Sequence, residues 1–265
     1  MAPTPDPGSH GGALTGSFRL AARRRGKAVA KWLLRQASLR LHGVIGVMPA
    51  WAYALRELKA RGFAPRTIFD IGVADGTPDL YAAFPKAKYY LIDPTRESLP
   101  HMQRIVRKLD ARIVNLALGD REDEQAIAVR CDDIGGSTFF DEVGPLGPTR
   151  RYAVTVRRFD QVVDGFDRPA LCKIDVQGAE MSVLRGMGER IHDIDAVIVE
   201  SSVLATLKGG PEIAEVIAYM HGRGFALYDV LGGARRPLDR ALAQLDLLFV
   251  KEDSALRADR RWSSA

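Results

Sequence analysis

The stretch Thr67-Ile-Phe-Asp-Ile-Gly-Val-Ala-Asp-Gly-Thr77 decides the fold. Its first half is mostly β-branched or apolar and predicts a buried strand, after which Gly72 and Gly76 predict a tight turn. Thr77 and Pro78 suit the N-cap and the first position of the helix that follows. A strand, a glycine turn and a helix in this order are typical of a doubly wound α/β sheet, whose ligands bind at the carboxyl ends of the strands.

The alternation of strand and helix patterns continues along the chain. We predict strands over residues 67–71, 88–92, 112–115, 171–176, 196–202, 225–230 and 245–250, and helices over residues 50–61, 79–84, 96–108, 179–187 and 211–223. Between the third and fourth strands, the strand-like residues 125–130 and 152–159 flank a glycine-rich stretch, which predicts an insertion. The predicted fold class is α/β, with a doubly wound sheet of seven mostly parallel strands and an N-terminal helical arm.

Composition narrows the class of protein. The chain has 265 residues, of which 46% are hydrophobic, and only two cysteines. These values exclude wholesale disorder, a disulfide framework and a structural zinc site. The sequence contains no run of about 18 uncharged apolar residues, so it predicts no membrane-spanning helix. We expect a cytoplasmic protein.

Positive charge is concentrated near the N-terminus. We predict a flexible leader over residues 1–16 and a basic amphipathic helical arm over residues 17–45. The eight basic residues of this region are Arg19, Arg23, Arg24, Arg25, Lys27, Lys31, Arg35 and Arg40. The rest of the chain is nearly neutral, so we expect no nucleic-acid partner. Two interpretations of the arm stay open: peripheral contact with the inner face of a membrane, or packing on the body or on a second copy in a homo-oligomer.

Aspartates at the predicted strand tips indicate the kind of ligand. Asp70 and Asp75 border the glycine turn, where they suit a cationic group, and the turn lacks the third glycine of a nicotinamide-binding fold. Asp93 ends the second strand, where nucleoside-binding folds place an acid on the ribose hydroxyls, and Pro94 stops the strand there. The pattern favours S-adenosylmethionine over a dinucleotide. The alternative is a plain tight turn with solvated aspartates and an Asp93 that caps the next helix.

Four segments, residues 68–77, 91–94, 115–120 and 171–186, carry a resemblance to a known family. With them the chain resembles the FkbM-type S-adenosylmethionine-dependent methyltransferases, which have the class I methyltransferase fold. The most specific motif is Lys173-Ile-Asp-Val-Gln-Gly-Ala-Glu180, which departs from the family pattern at Gln177, where the family has glutamate. Asp93 likewise stands where the family more often has glutamate.

The resemblance implies a function and a set of site residues. The implied reaction is O-methylation of a hydroxyl on a small molecule such as a sugar, polyketide or glycolipid. The implied methyltransferase domain spans residues 46–252, followed by a C-terminal tail over residues 253–265. The implied residues for S-adenosylmethionine are Asp70, Gly72, Val73, Asp75, Gly76, Thr77, Asp93, Pro94, Asn115 and Ala117.

Methyl transfer to a hydroxyl needs a group that takes the proton. Asp175 and Glu200 end adjacent predicted strands, so they can act together as the base or share a divalent metal ion. Lys173 and Glu180 complete the candidate catalytic set. The alternatives are structural: a Lys173–Glu180 ion pair, an Asp175 that caps a helix, or a non-catalytic scaffold whose working part is the basic arm.

We predict that the insertion covers the bound methyl acceptor. Its glycine-rich part, residues 134–150, precedes the strand that carries Asp175, and it contains Ser137 and Thr138 as candidate polar contacts. Arg150 and Arg151 are further candidates. Glycines make such a segment suited to a lid.

Overall fold

A computed structural model describes residues 51–144 and 147–263. The leader and arm predictions over residues 1–16 and 17–45 lie outside the described residues. Ten strands occur in the described part: β1 (Thr67–Ile71), β2 (Lys88–Ile92), β3 (Ala111–Val114), β4 (Ala117–Leu118), β5 (Asp123–Arg130), β6 (Thr149–Arg157), β7 (Ala170–Ile174), β8 (Ala196–Ser202), β9 (Phe225–Arg235) and β10 (Leu242–Lys251). The helices are α1 (Trp51–Ala60), α2 (Pro78–Ala83), α3 (Leu99–Ile105), α4 (Phe159–Val162), α5 (Glu180–Gly186) and α6 (Ile213–Gly222).

The central sheet has seven strands in the order β3-β2-β1-β7-β8-β10-β9. Strands β1, β2, β3, β7 and β8 pair in parallel, and β10 is antiparallel to both of its neighbours, β8 and β9. The predicted doubly wound α/β sheet of seven mostly parallel strands is therefore confirmed. Because the strand order reverses between β1 and β7, the carboxyl ends of these two strands border a crevice.

Helices cover both faces of this sheet, so the central strands are buried on both sides. All five residues of β1 are buried. Its Phe69 packs in one apolar cluster together with residues of α5 and α6, and Ile68 packs in a second cluster with residues of α1, α2 and α3. The alternation of side chains along each strand thus divides the core into two layers.

The insertion forms a small second sheet in the order β4-β6-β5. Strand β5 pairs antiparallel with residues 149–156 of β6 along its whole length, and the short β4 joins β6 in parallel. This sheet contacts the main body closely, because a side chain at Gly186 of α5 would lie 1.9 Å from the carbonyl oxygen of Gly119. The backbone that follows β4, at the start of the insertion, therefore packs directly against α5.

Two predicted bounds were wrong for identifiable reasons. The helix predicted over residues 96–108 is shorter and comprises only α3; just before it, the Thr95 N–H and the Ser98 hydroxyl donate to the Asp93 carboxylate, which holds this stretch of chain against the end of β2. The strand predicted over residues 225–230 extends to Arg235, because β9 continues to pair with β10 up to Leu242. No helix among residues 51–144 and 147–263 has the length and apolar character needed to cross a membrane.

Candidate functional site

A cavity of about 380 Å³ opens at the carboxyl ends of the parallel strands. Eight of the ten residues predicted to bind the cofactor line it: Gly72, Val73, Asp75, Gly76, Thr77, Asp93, Pro94 and Ala117. Three of the four predicted catalytic residues line it too, namely Lys173, Asp175 and Glu200. Asp70, Asn115 and Glu180 are not among the lining residues.

The glycine turn lets two strand ends approach each other. Gly72 has a φ of 78°, and a Cβ atom built on it would lie 1.7 Å from the carbonyl oxygen of Asp175. The backbone N–H of Asp175 donates to the carbonyl of Ile71 over 3.1 Å, so the residue after β7 is still hydrogen-bonded to the last residue of β1. Only glycine allows this conformation and this approach together.

Asp70 is buried and does not line the cavity, so its predicted contact with the cofactor stays a prediction. The carboxylate is fully buried and accepts hydrogen bonds from the Tyr81 hydroxyl at 2.5 Å and the Thr77 hydroxyl at 3.1 Å. The Thr77 side chain therefore makes no capping bond to α2, although Thr77 is its N-cap. Burial and the nearby Asp70 charge raise the pKa of Tyr81, which keeps that hydroxyl a donor.

The Lys173 ammonium lies close to two carboxylates, the buried one of Asp70 and that of Asp175, which lines the cavity. Its ammonium donates to the carbonyl of Gly72 over 2.6 Å and lies 3.5 Å from Asp70 and 3.3 Å from Asp175. Burial alone would lower the pKa of Lys173, but Asp175 and Asp70 raise it overall, so the side chain stays charged. The proposed Lys173–Glu180 ion pair is wrong, because the carboxylates that Lys173 pairs with are these two.

The Asp93 carboxylate already accepts several hydrogen bonds from its own loop. Its Oδ1 accepts three hydrogen bonds, from the Thr95 N–H, the Thr95 hydroxyl and the Ser98 hydroxyl, at 2.7–2.8 Å. Its Oδ2 accepts one, from the N–H of Ala74 at 2.9 Å. A carboxylate oxygen has two lone-pair sites, so Oδ2 is the oxygen that can still accept from a ligand.

Asn115 and Glu180 hold loops instead of lining the cavity. The Asn115 amide donates to the carbonyl of Asp93 over 2.8 Å, which fixes the end of β2. The buried carboxylate of Glu180 accepts from the backbone N–H groups of Val176 and Gly178 at 3.0–3.2 Å. Burial raises the pKa of Glu180 to about 7, although these N–H donors act in the opposite direction. Glu180 is therefore placed to hold the loop after β7.

An amide bridges the two predicted catalytic carboxylates. The side-chain nitrogen of Gln177 donates to Asp175 Oδ1 over 3.0 Å and to Glu200 Oε2 over 2.7 Å. Its backbone is fixed as well, with a φ of 48° and a carbonyl that accepts from the buried Thr138 hydroxyl at 2.6 Å. The departure from the family pattern at this position thus places a neutral donor between two acids.

Two further residues of the site were missed by the sequence analysis. Asp246 of β10 and Trp51 of α1 both line the cavity, and the indole N–H of Trp51 donates to Asp246 Oδ2 over 2.8 Å. Asp246 lies directly opposite Glu200 in the antiparallel pair of β8 and β10. Burial, followed by the nearby Asp175, raises the pKa of Glu200. Burial also raises the pKa of Asp246, against the effect of the Trp51 hydrogen bond.

The divalent metal ion that we considered between Asp175 and Glu200 stays a prediction. The Gln177 amide donates to Asp175 Oδ1 and Glu200 Oε2 and so takes one acceptor site on each of these two facing oxygens. In the described part of the chain there is also no cluster of three His, Cys, Asp or Glu side chains arranged to hold a metal ion.

The insertion contributes one wall of the cavity. Ile134, Gly135, Ser137 and Phe139 line it, as does Ile127 of β5. The predicted arginine contacts are not found there, because Arg151 pairs with Asp141 at 3.1 Å and Arg150 lies 4.0 Å from Glu97. The predicted cover therefore reaches the cavity through apolar and small side chains and one hydroxyl.

The family model for the methyltransferase FkbM domain matches residues 70–227. No match was found among curated proteins. A solved FkbM methyltransferase from Methylobacillus flagellatus KT is 17% identical, with a TM-score of 0.43, over 69% of this chain and 43% of that one. This chain thus spans less than half of that protein.

Two other solved structures have similar scores. Magnesium protoporphyrin IX methyltransferase from Synechocystis PCC 6803, with bound SAM, is 13% identical over 76% of this chain and 77% of its own, with a TM-score of 0.42. A Burkholderia thailandensis 1,6-didemethyltoxoflavin-N1-methyltransferase, with bound S-adenosylhomocysteine, is 15% identical over 95% of both chains, with a TM-score of 0.39.

Proposed function

We propose that this chain, which belongs to the FkbM methyltransferase family, transfers a methyl group from S-adenosylmethionine to a hydroxyl oxygen of a small molecule. We choose Asp175 as the base because of its position. Its carboxylate lines the cavity beside the glycine turn, 3.3 Å from the buried Lys173 ammonium. A carboxylate at this place can accept the proton of an acceptor hydroxyl that is held beside it.

The side of the cavity formed by β1, β2 and β4 suits the cofactor. Val73, Pro94 and Leu116 offer apolar contacts for the adenine ring, and Asp93 Oδ2 can accept from a ribose hydroxyl. When bound, S-adenosylmethionine supplies an electrophilic methyl group on a positively charged sulfur. Asp75 lines the same side and adds a negative charge near the mouth, which complements that ligand.

The other side supports proton removal from the acceptor. The acceptor oxygen must be held about 3 Å from the methyl carbon while its proton leaves. We assign the proton to Asp175, whose Oδ1 is oriented by Gln177 and whose Oδ2 is oriented by Lys173. Each oxygen keeps one lone-pair site for the hydroxyl. Glu200, joined to Asp175 through Gln177, orients the acceptor in this proposal.

The test is methyl transfer from labelled S-adenosylmethionine into small molecules of a cell extract. We expect the wild type to label a hydroxyl-bearing compound and the Asp175→Asn variant to lose at least about 100-fold in rate, as for a general base. Asp253→Asn, which removes the same charge from an exposed turn, should retain the wild-type rate. Cofactor binding without transfer into any compound would favour the scaffold interpretation.

A further inference from the structure

Glu200 and Asp246 form an unusual pair of like charges. They are direct partners in the antiparallel pairing of β8 and β10, and like charges at such positions destabilise a sheet. The comparable pair on the other side of the cavity, Asp70 and Lys173 of β1 and β7, is compensated. Among the ion pairs of residues 51–144 and 147–263, none includes Glu200 or Asp246. Two neighbouring carboxylates without a cation are expected where a bound ligand supplies the positive charge.

The hydrogen bonds of the pair leave one oxygen of each carboxylate for a ligand. Gln177 and Gln244 donate to Glu200 Oε2 over 2.7 and 3.0 Å, and Trp51 donates to Asp246 Oδ2. In the described part of the chain, neither Glu200 Oε1 nor Asp246 Oδ1 accepts a hydrogen bond, whereas every fully buried side-chain oxygen there has a partner. These two oxygens are therefore not fully buried, and because both carboxylates line the cavity, they are accessible from it.

The pair lies on the acceptor side of the cavity. Neighbouring strands are about 4.8 Å apart, so β10 lies about 10 Å from β7 and about 20 Å from β2 in the observed order. The proposed cofactor contacts are on β1 and β2, and the proposed base follows β7. A group bound between Glu200 and Asp246 therefore belongs to the acceptor and not to the cofactor.

We propose that Glu200 and Asp246 bind a protonated amine of the acceptor, so that the substrate is a hydroxyl compound that also carries an amine. The inference rests on the proposed function, because it assigns the acceptor of the same reaction. An ammonium group has three N–H donors, two of which can bond to Glu200 Oε1 and Asp246 Oδ1. Trp51 lines the same part of the cavity and offers an aromatic surface, which attracts cations.

The charges of the cavity disfavour an anionic acceptor. In the part of the chain that the structure describes, Lys173 is the one Lys, Arg or His side chain that lines the cavity. Its ammonium is already engaged by the Gly72 carbonyl and by Asp70 and Asp175. Near Glu200 and Asp246 the charged groups are Asp175, Glu180 and Lys173, so acids outnumber cations.

The test compares two sugars that differ only in the amine. Full-length protein saturated with S-adenosylhomocysteine is titrated with D-glucosamine and with D-glucose at pH 6.5, where the amine is protonated. We expect a Kd at least tenfold lower for glucosamine, and a ratio below threefold for both Asp246→Asn and Glu200→Gln. Asp253→Asn should keep the wild-type ratio, since it removes a charge from an exposed turn at the opposite edge of the sheet.

Equal affinity for the two sugars, or no binding of glucosamine, would overturn the inference. A methylated product of glucosamine that carries the methyl group on nitrogen would overturn it as well, because the proposed subsite holds the amine as an ammonium. Two variants are included so that misfolding of one leaves the other to decide. Failure of the wild type to bind S-adenosylhomocysteine would instead contradict the proposed function, so the two failures are distinguishable.

Discussion

Replacing Lys173 by methionine removes the cation that pairs with Asp70 in the described part of the chain. The two side chains are 5% and 0% exposed, and Nζ lies 3.5 Å from Asp70 Oδ1. At an effective dielectric constant of about 20, two unit charges at this distance attract by about 5 kcal/mol. Breaking a buried ion pair by removing one partner typically costs about 3–5 kcal/mol, because the other charge is left uncompensated. We therefore expect Lys173→Met to lower the free energy of unfolding by about 3–5 kcal/mol.

The assay is equilibrium urea denaturation of the full-length chain in a double-mutant cycle with Asp70→Asn. In the double variant no buried charge is left without its partner, so its loss of stability should be smaller than the sum of the single losses by about 2 kcal/mol. Lys86→Met is the matched control, because Lys86 is exposed and its replacement should change stability by less than about 0.5 kcal/mol. Additive losses, within about 0.5 kcal/mol, would refute the reasoning, since they would mean that the two charges do not interact.

Three other predictions concern the glycine turn, the carboxylate pair and the arm. Gly72→Ala should abolish S-adenosylhomocysteine binding and lower the thermal melting temperature, because its Cβ would lie 1.7 Å from the Asp175 carbonyl oxygen; wild-type affinity in a titration would contradict this. The raised pKa of Glu200 means that the folded state binds its proton more tightly than the unfolded state, so stability falls as pH rises above about 4.5. Glu200→Gln should reduce this fall between pH 5 and 8 in urea denaturation series, and an unchanged slope would contradict it. If residues 17–45 contact anionic lipid, Arg23/Arg24/Arg25→Gln should weaken liposome co-sedimentation most at low salt. If instead they pack on protein, Trp32→Ala/Leu33→Ala should disrupt the soluble oligomer while lipid binding stays absent.

Several strands of the central sheet were predictable because their signals are local. The bounds of β1, β2 and β8 agree with the sequence patterns, and the glycine turn after β1 has the predicted place. Turn chemistry and a continuous apolar run need no knowledge of distant residues. For the same reason most of the residues predicted for the cofactor line the cavity.

The pairing of charges was not predictable, because it depends on register between strands that are far apart in the sequence. Asp70 and Lys173 are partners only because β1 and β7 align in one register. Trp51 and Asp246, which are separated by 195 positions, meet because β10 inserts between β8 and β9. One signal could have found Asp246: it is an acid within the apolar strand Leu245-Asp-Leu-Leu-Phe-Val250, where a charge is out of place unless it has a role.

Calorimetric titration of the full-length protein with S-adenosylhomocysteine tests most directly whether the cavity at the strand tips is a methyl-donor site. We predict a micromolar Kd for the wild type, no heat with NAD, and at least tenfold weaker binding for Asp93→Ala, whose Oδ2 is the proposed ribose acceptor. Asp253→Asn, on the exposed turn, should bind as the wild type does. Binding of NAD without S-adenosylhomocysteine, or an affinity for S-adenosylhomocysteine that is unchanged in a folded Asp93→Ala variant, would contradict the account.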